Sequence, residues 1–117
     1  MSSIVQSYLL AILWAETDGR LPLDAAGYDT LSFSDEAVQR AETDLSEFIA
    51  RAWEEAPDWQ ERYSMERLVR DFWLTRNGHG AGFWEYDDEL GRALDKVSKH
   101  FGHCDVYVGD DGRLHLS

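Results

Sequence analysis

The sequence predicts an α+β fold: about four helices with a small C-terminal antiparallel hairpin or three-stranded sheet, in a single domain over residues 1–117. Three observations carry this expectation. Apolar residues recur at helical spacing in four segments. Each segment closes at a glycine or proline, and the first three open at a serine. The last dozen residues alternate about a Gly-Asp-Asp-Gly turn.

The first helix is predicted over Ile4 to about Thr17, with Ser3 as N-cap, Gln6 at the reciprocal capping position and Gly19 as the stop. It is apolar around more than half its circumference, so a central place is expected. Residues 19–33 read as a connection rich in turn residues. Ser34, followed by Asp35 and Glu36, starts the second and longest helix, and Pro57 ends it. Its buried stripe is Val38, Ala41, Leu45, Phe48, Ile49 and Ala52. A short helical turn is expected over Asp58 to Tyr63. The third helix runs from Met65 to about Arg76, capped by Ser64 and closed by Asn77 or Gly78. Phe83 to Tyr86 reads as a short strand, and the fourth helix spans about Asp88 to His100. Residues 105–108 and 113–116 flank the closing turn, and the hairpin must pack on the helices or pair with 83–86, because an isolated hairpin is marginal in water. Trp14, Trp53 and Trp73 lie near apolar stripes and are expected in the core, Trp59 and Trp84 at the surface.

A chain of 117 residues with 44% hydrophobic content and two prolines is neither a disordered tail nor a linker. At this size folding can bury roughly two thirds of the unfolded surface. The single cysteine, Cys104, excludes an internal disulfide and any multi-cysteine metal site. No metal or cofactor is expected. The apolar stretch Ile4 to Ala15 has no basic residue before it and is far short of the ~20 residues that span a bilayer. A cytoplasmic protein is therefore expected.

The formal charge of −12, from 23 acids against 11 bases, disfavours binding to nucleic acid or to an anionic membrane. The acidity is uneven. Residues 1–61 carry 13 acids and 3 bases, residues 62–82 carry 2 and 4, and residues 83–117 carry 8 and 4. The simplest reading of the acids is a solvated surface that keeps a small protein soluble. The functional reading is a negative surface that occupies a DNA-binding cleft and gains from long-range steering. Glu36, Glu47 and Glu54 share one row on the second helix, and Asp44, Glu55, Asp58 and Glu61 extend the negative region. Arg40 and Arg51 interleave with that row.

The densest run of unusual residues is DFWLTRNGHGAGFWEYDD, Asp71 to Asp88. Three chemistries compete there: His79 as a general base oriented by Glu85 or Asp87, a metal site, or an anion cradle with Arg76 as the charge. No nucleophile stands beside His79, the metal reading lacks ligand spacing, and the glycines follow a helix where carbonyls repel anions. The structural alternative has Gly78 capping the third helix, Gly80 and Gly82 turning the backbone under aromatic rings, and His79 as a loop residue.

The run FWLTRNGHGAGFWEYDDELG, with Leu94, Phe101-Gly102 and VYVGDDGRLHL after it, resembles a family of small uncharacterised phage and mobile-element proteins sharing an FWLTRNGHGxGFW core. The likeness covers about residues 70–117, and Glu85 stands where the family has Asp. The resemblance implies no catalytic residues. It does imply a context in which small acidic proteins inhibit host defence by occupying DNA-binding sites, as antirestriction and anti-CRISPR proteins do.

The expectation is thus an acidic, non-enzymatic, phage-derived inhibitor that engages a host nucleic-acid-binding protein complex, with DNA mimicry as one mode, through Glu36, Asp44, Glu47, Glu54, Glu55, Asp58 and Glu61. The alternative is a small enzyme or ligand-binding protein centred on Arg76, Asn77, His79 and Glu85.

Overall fold

Hydroxyl and carboxylate caps set the start of every helix. The computed structural model describes all of residues 1–117. In chain order it has α1 (Ser3–Ala15), α2 (Asp35–Glu55), α3 (Met65–Arg76), α4 (Glu89–His100), β1 (Val106–Val108) and β2 (Leu114–Leu116). Short 3₁₀ turns lie at Thr30–Ser32, Pro57–Glu61 and Phe83–Glu85. The Ser34, Ser64 and Asp88 side chains accept from the amides of Ala37, Arg67 and Gly91. The cap of α1 is Ser2, one residue earlier than expected, and it accepts from Val5 N–H. The helix stops at Ala15, short of Thr17, because Glu16 and Thr17 turn into a small ladder with Pro22 and Leu23.

The helix buried most completely is α3. From Asp71 to Arg76 every residue is buried. Phe72 lies at the middle of an aromatic column: it stacks on Phe48 of α2 at 4.1 Å and on Tyr8 of α1 at 5.8 Å, and meets Phe101 edge-on at 5.1 Å. Burying one such phenyl ring contributes about 1.5–3 kcal/mol. Of the tryptophans, Trp73 is in the core and Trp84 is exposed, as their positions suggested. The other three reverse. Trp14 is 61% exposed, on the side of α1 where Leu10 is also half exposed. Trp53 is half exposed on the flank of α2, while Trp59 is buried beneath it at a ring distance of 5.1 Å.

The segment 83–86 is not a strand. Gly82 takes φ +145°, and a Cβ there would meet Thr75 Oγ1 at 2.4 Å. That hydroxyl accepts instead from the Phe83 amide (3.0 Å), and the chain curls into a 3₁₀ turn on α3. The sheet therefore has two strands, paired antiparallel with Val106 opposite Leu116 and Val108 opposite Leu114. The free side of β2 meets the chain before α2: Ser34 N–H donates to the Leu114 carbonyl (2.9 Å), and Arg113 donates to the carbonyls of Leu31 and Phe33.

One buried cation ties these parts together. Arg76 ends α3 with its side chain turned into the protein rather than toward the glycine loop. It donates to Asp44 Oδ2 on α2 (2.9 Å), to Tyr8 OH on α1 (3.2 Å), and to the carbonyls of Gly102 (2.9 Å) and Phe101 (3.3 Å) after α4. Its guanidinium lies 5.1 Å from the centre of the Phe72 ring. Burial acts to lower the Arg76 pKa, but Tyr8 and Asp44 outweigh it and raise it. Burial also raises the Tyr8 hydroxyl, with Arg76 opposing.

Arg76→Ala is expected to cost about 3–5 kcal/mol, the usual penalty for stripping one member from a buried pair. Glu47→Ala, which breaks only the exposed pair with Arg51, should cost less than about 0.5 kcal/mol. Urea denaturation midpoints of the two variants check both values.

Candidate acidic partner-binding groove

Proline 57 determines the local geometry of the acidic region. It cannot continue α2, so the chain turns at Ala56 into the 3₁₀ turn Pro57–Glu61. That turn and the start of α4 form the walls of a groove of about 520 Å³. Glu55, Asp58 and Glu61 line it from one side, Asp88 and Glu89 from the other. Leu90, Ala93, Ala56 and Pro57 supply apolar surface, and Arg62 is the one basic residue of the lining.

That base is already engaged. Both terminal nitrogens of Arg62 donate to the two Asp88 oxygens, and the guanidinium lies 4.4 Å from the centre of the Tyr86 ring. A bidentate pair of this kind holds both side chains in one geometry. Asp88 also caps α4 through the Gly91 amide (2.8 Å). The hydrogen bond from Arg62, then that from Gly91, hold the Asp88 carboxyl down at about 2. The remaining four carboxylates have no basic residue of the lining free to offset them, so the groove is strongly negative at neutral pH.

Six of the seven acids expected at a partner surface are exposed: Glu36, Glu47, Glu54, Glu55, Asp58 and Glu61. The groove brings Glu55, Asp58 and Glu61 together with Asp88 and Glu89, which the sequence reading did not select. The run Asp87-Asp88-Glu89 was visible as acids at a helix start, but nothing in the sequence placed it beside residues 55–61. Asp44 does not belong to the open face. It is drawn inward by Arg76, and the same oxygen, Oδ2, also accepts from Arg40 Nε (3.0 Å). Arg51 does lie in the acidic row, 3.5 Å from Glu47.

The four loop residues do not converge. Arg76 faces the interior, Asn77 Oδ1 accepts from the Cys104 amide (2.8 Å), and Glu85 is exposed on the 3₁₀ turn. His79 pairs with neither Glu85 nor Asp87. Its Nε2 is 2.5 Å from Glu16 Oε2, which also accepts from the Trp73 indole (2.8 Å). Glu16 thus fastens the loop to the end of α1, a partnership across 63 positions for which the sequence held no local signal. Gly78 takes φ +67° after the Asn77 cap, the left-handed closure expected of it. No three His, Cys, Asp or Glu side chains gather in a metal-binding arrangement. No helix is long and apolar enough to cross a membrane. No family model, curated protein or solved structure matches the chain.

Two outcomes follow from this geometry. A depressed carboxyl stabilises the fold above its ordinary value of 3.8, and that contribution is lost as pH falls through about 2. The first turn of α4 should therefore fray between those values, and Asp88→Asn should remove this step from an NMR pH titration. His79→Ala, which leaves Glu16 bonded to Trp73, should change stability by under about 1 kcal/mol, read as a small shift in melting temperature.

Proposed function

We propose that the protein is a non-enzymatic inhibitor of phage or mobile-element origin, acting in the host cytoplasm on a nucleic-acid-binding protein complex of the antirestriction or anti-CRISPR kind. The observation that carries this reading is the acidic groove between the 3₁₀ turn and α4, with its one arginine neutralised by Asp88. Carboxylates on a rigid frame attract the lysine and arginine side chains that otherwise hold phosphates. Glu36, Glu47 and Glu54 lengthen the negative surface along α2, and the apolar floor at Leu90 and Ala93 favours a protein partner over a free cation. The net charge of −12 supports fast, electrostatically steered association with a basic surface and argues against direct contact with nucleic acid.

The test is protection of incoming DNA in bacteria equipped with a restriction or CRISPR system. The protein should raise plasmid or phage survival in at least one such host. Reversing three charges together, Glu47→Lys, Glu54→Lys and Asp58→Lys, should abolish protection while leaving the fold intact, since exposed charges usually matter by less than about 0.5 kcal/mol each. Protection that survives the triple reversal would move the interface off this face. The purified protein should give no shift of duplex DNA at ~0.15 M salt, and a clear shift would overturn the reading.

A further inference from the structure

The two strands of the hairpin are not equally covered. In the ladder, Gly109 N–H donates to the Arg113 carbonyl (2.8 Å) and Ser117 N–H to the Asp105 carbonyl (2.9 Å). Residues 105, 107 and 109 therefore turn their backbone groups toward β2, with Tyr107 opposite His115. Strand alternation turns the N–H and C=O of Val106 and Val108 the other way. The same alternation directs the Leu114 carbonyl outward on β2, where Ser34 N–H caps it. Nothing does so for β1: no turn, loop or side-chain hydrogen bond reaches the backbone of Val106 or Val108. A gap of about 310 Å³ lies between the hairpin and residues Thr17, Asp18 and Leu23, and Leu114 also lines it. Tyr107 is 51% exposed and Val108 44%. The strand carries no lysine, proline or bulge, devices that commonly blunt an edge.

We propose that this edge pairs with the same edge of a second copy of the chain, antiparallel about a two-fold axis at Tyr107, giving a continuous four-stranded sheet across a dimer. The edge is self-complementary. The strand reads Val-Tyr-Val in either direction, so the two-fold puts Val106 opposite Val108 of the second copy and Tyr107 opposite itself. Val106 and Val108 are the residues with outward donors and acceptors, so each facing pair exchanges two hydrogen bonds and no outward group of the strand is left unmet. The register is also compatible in charge. Asp105 falls opposite Gly109 and Asp110 opposite Cys104, so no acid faces an acid. The two Tyr107 rings meet on one face, each already stacked on its own His115 at 5.4 Å. A C2 interface must be isologous, with one patch serving both copies, and this edge satisfies that condition. A contact this short belongs to the weak, concentration-dependent class. Each copy carries −12, so added salt should strengthen the dimer, the opposite of its effect on association with a basic partner.

Sedimentation velocity over a concentration series tests the proposal. The wild-type protein should shift from monomer toward dimer as concentration rises, and more so at higher salt. Tyr107→Lys and Tyr107→Glu, each placing like charges across the two-fold, should each remain monomeric, and an equimolar mixture should recover the dimer. Independently of any variant, amide exchange at Val106 and Val108 should slow with rising concentration of the wild-type protein. A protein that is monomeric throughout, a dimer indifferent to both Tyr107 variants, variants whose mixture stays monomeric, or Val106 and Val108 amides that exchange equally fast at all concentrations would each overturn it.

Discussion

The buried guanidinium of Arg76 is the point on which the other elements converge. Removing such a cation from water costs several kcal/mol, and the attraction of one carboxylate seldom repays it. Here Asp44, Tyr8 and two carbonyls after α4 accept its N–H groups, and an aromatic ring lies against its face. The acceptors come from three parts of the chain, α1, α2 and the segment after α4, so the network does more than add stability. It sets where α1, α2 and the end of α4 stand relative to α3. The planar fork of arginine is suited to this, and a lysine could not reach the same set of acceptors.

That arrangement has consequences at the surface. The cation that the sequence offers to the glycine loop is used inside, and it takes Asp44 with it. The loop is left with His79, tied to Glu16, and with Asn77, whose carbonyl oxygen holds the Cys104 amide. Its residues act as fasteners between α1, α3 and the approach to β1. Outside, the acids of α2, the 3₁₀ turn and the start of α4 face water, and the arginine among those in the groove is spent on capping geometry at Asp88. Charge and cavity therefore coincide on one face, and that coincidence supports the binding reading more than net charge alone.

Much of the fold was legible because it rests on local chemistry. Ser34, Ser64 and Pro57 mark boundaries through hydrogen bonds or missing donors within a few residues, and α3 and the hairpin lie where those signals put them. What escaped depends on contacts distant in sequence. The aromatic pair Phe83-Trp84 has strand propensity, but Gly82 packs so closely on Thr75 that the backbone curls. Trp14 stands in an apolar run and Trp59 among polar turn residues, yet tertiary placement leaves the first exposed and the second buried. The acidic region was half legible. Glu55, Asp58 and Glu61 recur every third residue from the end of α2 through the 3₁₀ turn, whereas Asp88 and Glu89 join them through the pairing of Arg62 with Asp88 across 26 positions.

On this reading the acidic groove, and not the glycine loop, is the binding surface. Chemical-shift mapping of the ¹⁵N-labelled protein against a lysine- and arginine-rich peptide tests it most directly. Salt-sensitive shifts concentrated at residues 54–62 and 88–93, with residues 76–82 unmoved, are expected. Shifts centred on residues 76–82, with the groove silent, would contradict it.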